Sequence, residues 1–475
     1  MQNKMPYSEF SAAVTETAEA FKKIDKKQTI RIISHLDCDG ICACSILIRA
    51  LSKLNRRYSL SIFQQVSPVN LHELSAEEYQ CYVFTDLGSS SLSMIKNTLR
   101  GKTIFIIDHH DPEKISLPEN FHHLNPHLFG IDGGTEISGA GVVYLFTKAL
   151  DESNIDMAHI AIVGAIGDVQ GKEGLRTLNN EILNDAVKNK RIGIKLDLKF
   201  FGKNTRPLYK LLEYSNDPLI PGISGSESSA IQFLQQLRIN PKRGREWRKY
   251  IDLTNAEKQR LTAAIIMRRV GEENPNDIFE DNYTLLAEKE GSPFACAKEF
   301  STILNSCGRL EKSSVGVGVC LGSKDAKKKA LATRDRYKHE IVNAMNWYKS
   351  NKDSQSVYNG EGFIIIDAQD NILPSMIGTF ASILARSGEI REGTYILSMA
   401  QNDDSTTKVS IRMSGNHNKD AGLHKIAEKI ISQVGGESGG HCNAAGGFIQ
   451  TEKEEELIKV AKLVLEHCAM EEKVE

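Results

Sequence analysis

Four stretches of this chain end an apolar run on groups that bind cations or move protons. They are His35-Leu-Asp37-Cys-Asp39 in RIISHLDCDG (31–40), Asp86 in VFTDLGSS (83–90), Asp108-His109-His110 in TIFIIDHH (103–110) and Asp168 in GAIGDVQG (164–171). One acid at a strand end is ordinarily a cap or a turn former. Four such sites in one region, two of them with histidine, fit that role poorly. Converging carboxylates repel one another unless a cation neutralises them. Donors that are mostly oxygen, with some imidazole, suit Mn²⁺ or Mg²⁺ better than zinc. Cys38 alternates with Asp37 and Asp39, so on an extended segment its thiol points the other way. The ligands suffice for two ions, and two ions about 3.5–4 Å apart can clamp a scissile phosphate.

The elements that must position these groups alternate between strand and helix. Strands are expected at 29–35, 58–66, 80–86 and 103–108, and helices at 39–54, 91–99, 138–150 and 158–168, with Ser138 as an N-cap. That alternation predicts an α/β domain with a mostly parallel sheet covered on both faces. Active sites of such sheets form beyond the carboxyl ends of the strands. Residues 191–350 are richer in charge and read as a largely helical middle region. Within it, 324–349 reads as one long basic helix with Ile341, Met345 and Tyr348 at helical spacing. The polar stretch SNKDSQSVYNGEG (350–362) reads as a linker. A smaller α/β domain follows, with strands at 363–368, 394–400 and 407–414 and helices at 374–388, 421–435 and 453–470. The expected domains are therefore 1–190, 191–350 and 358–475.

Composition narrows the function. The 475 residues are 40% hydrophobic and 25% charged, as in a water-soluble globular protein. No apolar run approaches the roughly 18 residues of a membrane span, and the N-terminal segment has no signal-like apolar core. A cytoplasmic protein without a membrane role is expected. Nine cysteines without a CxxC pair fit reduced thiols. A net charge of -2 argues against broad coating of duplex DNA, so nucleic-acid contact must use local patches. KRGREWRKY (242–250) and KDAKKKALATRDRYK (324–338) are two such patches. Each alone reads as a solvated helix face. Beside a nucleic-acid site they would track a strand, with Trp247 stacking on a base.

Taken together, SHLDCDG, FTDLG, IIDHH, GAIGDVQ and the distant GGHCNAAGGF resemble the DHH phosphoesterase superfamily, and within it the archaeal RecJ-like nucleases, also called GINS-associated nucleases. The resemblance covers nearly the whole chain, including TRPLYKLLEYSNDPLIPGISG in the middle. It implies a catalytic motif Asp108, His109 and His110. One metal would be held by His35, Asp37 and Asp86. A second would be held by Asp39, Asp86, His109 and Asp168, with Asp86 bridging. His110 would face the substrate phosphate, and Asp108 would orient the imidazoles beside it. The C-terminal domain resembles the DHH-associated domain. There Gly439, Gly440 and His441 would form a flexible loop gripping a phosphate, and Arg412 in VSIRMS would clamp one. SCGR (306–309) resembles a further family motif and would bring Arg309 to the substrate groove between the two α/β domains. All motif positions are present, whereas the eukaryotic replicative-helicase subunit derived from this superfamily has lost such ligands.

The resemblance implies a two-metal, single-strand-specific exonuclease, 5′→3′ on DNA and open to RNA, serving replication or repair. Implied partners are single-stranded nucleic acid, GINS and the replicative helicase complex. Two alternatives stay open. One is a small-substrate phosphoesterase, such as an oligoribonuclease or a cyclic-dinucleotide phosphodiesterase. Such families usually place the first aspartate of the first motif four residues from the histidine, where His35 and Asp37 are two apart. The other is a replisome scaffold that mainly binds GINS.

Overall fold

The computed structural model describes residues 5–171, 174–415, 422–441 and 443–471. They form two compact units, Met1–Leu331 and Ala332–Glu475.

In the first unit, β1 (Ile30–His35), β2 (Tyr58–Phe63), β3 (Cys81–Thr85), β4 (Thr103–Ile107) and β5 (Phe121–Leu124) make one sheet in the order β2-β1-β3-β4-β5. Every pairing is parallel. β-Branched and aromatic residues fill the strands, and Ile32, Val83 and Phe105 are fully buried at their centres. Each such side chain contributes about 1.5–3 kcal/mol by leaving water. Helices cover both faces, so a buried strand here reads as a continuous apolar run.

The strand order explains where chemistry collects. β1 is followed in the chain by β2 on one side and β3 on the other, so the connections reverse direction between β1 and β3. At such a reversal the loops part and leave a crevice beyond the strands' carboxyl ends. β1, β3 and β4 are neighbours, and each stops immediately before a motif acid or on a motif histidine. β5 and the helix Pro68–Ala76 were not expected from the sequence; their short apolar runs carry little periodicity.

The middle region has its own core, from Leu198 and Phe200 through Leu234 to Ile278. It is largely helical, yet β6 (Ile192–Leu198) pairs antiparallel with β9 (Phe279–Leu285) across 80 intervening residues. β7 (Lys242–Arg243) and β8 (Glu246–Trp247) form a small hairpin. The first basic patch is therefore a hairpin and not a helix face. The second lies on the helix Lys324–Asn351, where Ala344 and Tyr348 turn inward.

The second unit holds a six-stranded sheet of β10 (Val357–Gly360), β11 (Phe363–Asp367), β12 (Tyr395–Gln401), β13 (Thr406–Met413), β14 (Glu437–His441) and β15 (Ala444–Gln450), in the order β10-β11-β12-β13-β15-β14. Ile365 and Leu397 face one core with the helices Leu423–Ile431 and Glu454–Glu471. Ile366 and Ile396 face the other with the helix Pro374–Ala385. Two expectations are corrected here. The 350–362 stretch is not all linker, because Val357 is buried and begins β10. Gly439 and Gly440 are not in a flexible loop. They lie in β14, whose backbone pairs with Gly446 and Ala445 of β15.

Candidate metal centre

Asp37 leaves β1 and caps the helix Cys38–Lys53, its carboxylate accepting the N–H of Gly40 at 3.0 Å. The helix start then fixes Asp39 in the first turn. Asp39 is buried and accepts the N–H groups of Gly139 (2.6 Å) and Ala140 (3.1 Å), where the helix Gly139–Leu150 opens with unpaired donors. Ser138 caps that helix as expected, accepting from Gly141.

Asp86 follows β3 with φ +59°, a strained backbone for a non-glycine residue. Its side chain is 1% exposed, and neither carboxylate oxygen accepts a hydrogen bond. His109 Nε2 stands 3.2 Å from Oδ1, and His35 Nδ1 stands 3.6 Å from Oδ2. A Cβ on Gly139 would fall 2.3 Å from Asp86 Oδ1, so only glycine fits there.

His109 donates from Nδ1 to the carbonyl oxygen of Gly133 at 2.6 Å. A carbonyl only accepts, so the proton sits on Nδ1, and Nε2 presents its lone pair to the carboxylates in the neutral ring. Asp39 Oδ2 and Asp168 Oδ2 lie 3.8 and 3.9 Å from that Nε2. Asp108 is fully buried and serves its neighbours. Its Oδ1 meets His110 Nδ1 at 2.7 Å and the His109 N–H at 2.8 Å, and its Oδ2 accepts from Ser89 N at 2.9 Å.

The electrostatics follow from this crowding. Burial raises the Asp39 carboxyl, and the charges of Asp86 and Asp168 raise it further. Burial also raises Asp168, to about 6, against the opposing pull of His109. For His35, burial opposes the charge, yet Asp37 and Asp86 overcome it and push the imidazole up to about 10. Asp37 moves the other way: burial opposes ionisation, but His35, the Gly40 N–H and Arg309 hold it well below the usual range. Without a cation the site therefore holds its excess negative charge by raising proton affinity on Asp39, Asp168 and the imidazoles.

These residues fit divalent metal. His35, Asp37 and Asp86 bring donor atoms within 4.8 Å of one another, as do Asp39, His109 and Asp168, and as do Asp86, Asp108, His109 and His110. A buried carboxylate with two unsatisfied oxygens costs several kcal/mol unless a cation occupies the space. Cys38 belongs to none of these groups. Its thiol points away toward Val163 O, though not by strand alternation, because Cys38 opens a helix and does not lie on an extended segment.

Several supporting residues carry no signal in the sequence. Gln170 Nε2 donates to Asp168 Oδ2 and to Gly133 O, each at 2.8 Å, and Asn179 holds Gln170 in turn. Asn305 accepts the Cys38 N–H at 2.9 Å. Asn125 links Ser89 Oγ to the carbonyl of His110. The helix Ala297–Arg309 is pressed onto the first motif so closely that a Cβ on Gly308 would stand 1.7 Å from Leu36 O. That contact places Arg309, the last residue of the helix, within electrostatic reach of Asp37.

The second unit holds the other expected residues. Arg412 on β13 is half-buried and anchored at home: Nε donates to Ser382 Oγ (2.9 Å), and Nη1 to Ser410 Oγ (3.0 Å) and Ile411 O (2.8 Å). Gly439 and Gly440 lie on the edge strand β14. The backbone of His441 ends that strand, and its side chain lies outside the described residues. Trp247 does not offer a free ring to a base. It packs on Tyr209 at 4.3 Å between centroids, with the Lys242 ammonium 4.2 Å from its centroid.

The chain matches the DHH family, N-terminal domain, over residues 29–166, the DHH-CID domain over 200–281 and the DHHA1 domain over 360–467. An uncharacterized protein of Methanocaldococcus jannaschii is 30% identical over 438 residues, 90% of this chain and 91% of that protein. CDC45 from Entamoeba histolytica shares the fold with a TM-score of 0.62 at 13% identity, over 97% of this chain and 98% of that one. RecJ in complex with Mn²⁺ from Thermus thermophilus gives 0.58 at 16% identity, over 96% of this chain and 55% of that one. This chain thus spans about half the length of the Thermus protein. An exonuclease RecJ bound to manganese gives 0.55 at 17% identity, over 96% and 94%. Fold and histidine–aspartate cluster together define a protein of the DHH class. The chain belongs to the DHH family, carrying its DHH, DHH-CID and DHHA1 domains in order, and it shares its fold with RecJ and CDC45. Among the described residues, no helix is long and apolar enough to cross a membrane.

Proposed function

We propose that the protein is a metal-dependent exonuclease that hydrolyses single-stranded nucleic acid, on DNA from the 5′ end. The observation that carries this reading is Asp86. It is buried, strained and unsatisfied at both oxygens, and it stands between two imidazoles held by other strands. A fold does not maintain such a group for stability. Two Mn²⁺ or Mg²⁺ ions would be held by His35, Asp37 and Asp86, and by Asp39, Asp86, His109 and Asp168. When bound, they would supply Lewis acidity at the scissile phosphate and lower the pKa of water.

The chain's own residues do the rest. Asp86 holds the two ligand sets in fixed relation. Gly133 O and Gln170 keep His109 Nε2 and Asp168 aimed inward. Asp108 accepts from His110 Nδ1, which orients that ring for a phosphate oxygen and stabilises its protonated form. Arg309, within electrostatic reach of Asp37, offers a guanidinium to the strand, and Arg412, Gly439, Gly440 and His441 of the second unit are assigned to substrate phosphate. Full occupancy of the ligand positions favours catalysis over a purely structural role. The long middle region favours a polymer substrate over a cyclic dinucleotide. GINS and the replicative helicase remain the proposed partners, a reading supported by the fold shared with CDC45.

Turnover of a single-stranded oligonucleotide with Mn²⁺, with EDTA, and by Asp86→Ala tests this. The reading requires activity in the first case only. Asp86→Ala turning over within a few-fold of wild type would refute it.

A further inference from the structure

We infer that the hairpin β7–β8 of the middle region is a second nucleic-acid contact, which grips the phosphate backbone and reads no bases. The inference rests on the nuclease reading and extends it to a surface outside the metal centre.

The hairpin is charged against the background of the chain. Overall, 59 Lys and Arg face 61 Asp and Glu. Residues 242–250 hold five cations (Lys242, Arg243, Arg245, Arg248, Lys249) and one acid (Glu246). The cations divide into two kinds. Arg248 is structural: it forks onto Glu257 with two bonds, at 2.8 and 2.7 Å, and also donates to Asn240 O. Lys242, Arg243 and Arg245 are exposed, and among the described residues none of them forms an ion pair. A fold that pairs Arg248 so fully, and lays Lys242 over the Trp247 ring, yet leaves Arg243 and Arg245 to solvent, presents those two outward.

The presentation is rigid. Gly244, with φ +65°, takes the first corner of a two-residue turn, a position that favours glycine. Arg248 N donates to Pro241 O, and Leu208 N donates to Arg248 O, so the hairpin base is tied to the middle core. Trp247 is wedged against Tyr209 beneath Lys242. With the hairpin backbone fixed, only the side-chain freedom of Arg243 and Arg245 is lost when they meet a phosphate. The same wedge decides what kind of contact forms. With its ring already packed, Trp247 is not a stacking platform, so the grip is electrostatic. It depends on backbone charge and salt, and it is indifferent to the bases.

The test is binding in EDTA, where no hydrolysis occurs. Fluorescence anisotropy of a labelled oligo-dT strand, and of an equally long abasic strand, is followed against salt for the full chain. Arg243→Glu/Arg245→Glu is expected to weaken both strands at least fivefold at low salt. It should also flatten the log–log salt slope by about 1.4, two single-strand phosphate contacts at about 0.7 each. Lys26→Glu/Lys27→Glu makes the same change of net charge on an exposed segment elsewhere. It should leave the slope within error of wild type. An unchanged slope in the hairpin variant would overturn the inference. So would an equal loss in the control pair, or a loss confined to the strand that carries bases. An acidic protein partner at the hairpin would appear as the first of these. Since the measurement needs no turnover, an inactive protein that still shows the slope change would sink the nuclease reading and leave the hairpin contact standing.

Discussion

His109 Nε2 stands 3.2 Å from Asp86 Oδ1, although the two residues follow different strands and neither makes a hydrogen bond to the other. The ring is turned there by Gly133, not by Asp86. A pair aligned from outside, with the carboxylate left unsatisfied, is arranged for something between them. Substituting Asp86→Asn tests that arrangement without emptying it. Saturating Mn²⁺ at 100 times Kd should stabilise the wild type by about 2.7 kcal/mol, a rise of several degrees in the melting midpoint. Asp86→Asn should lose more than half of that rise while its metal-free midpoint stays level or climbs, since a repelled buried charge has been removed. Equal metal-induced rises, read by differential scanning fluorimetry, would show that Asp86 is no ligand.

Gln170 is the positioning residue most exposed to test. One amide donates both to Asp168 and to the carbonyl that orients His109. Gln170→Leu keeps the bulk and removes both bonds. Partners of metal ligands typically set 10–100-fold in affinity, and a loss of that size is expected in Mn²⁺ calorimetry, with far-UV circular dichroism unchanged. Wild-type affinity in the folded variant would return Gln170 to a packing role.

Much of this centre is legible in the sequence because the chemistry is compressed into strand ends. Asp37, Asp86, Asp108 and Asp168 each follow a buried apolar run, and an acid there has few structural excuses. Gln170, Asn305, Asn125 and Ser89 are illegible for a physical reason. Their meaning lies in contacts to residues remote in the chain, as with the 267-residue separation of Cys38 and Asn305. The pairing of β6 with β9 is hidden by the same distance. Gly439 and Gly440 mislead in another way. Glycines suggest a loop by composition, but in β14 they face Gly446 and Ala445 across a close antiparallel ladder.

The Arg248–Glu257 fork carries a pH signature for the middle region. Its hydrogen bonds to Arg248 come first among the causes that hold Glu257 at about 2, below its ordinary 4.5. A depressed carboxyl contributes stability that is complete above the unfolded value and is lost as pH falls through the folded one. The fork should therefore contribute fully above about pH 4.5 and fade toward pH 2. Glu257→Gln should cost about 1 kcal/mol at pH 7, the upper end for a partly exposed pair. That cost should shrink as the pH is lowered through this window in urea titrations. A cost independent of pH would mean that the substitution acts through packing.

The central claim is exonucleolytic hydrolysis of single strands from the 5′ end at this metal centre. It is tested most directly with 3′-labelled DNA strands whose 5′ ends are free or blocked by a bulky group, digested with Mn²⁺ and resolved on a sequencing gel. The account predicts a descending ladder from the free strand, protection of the blocked strand and of blunt duplex, and no products in EDTA. Equal degradation of free and blocked strands, faster digestion of duplex, or products that persist in EDTA would contradict it.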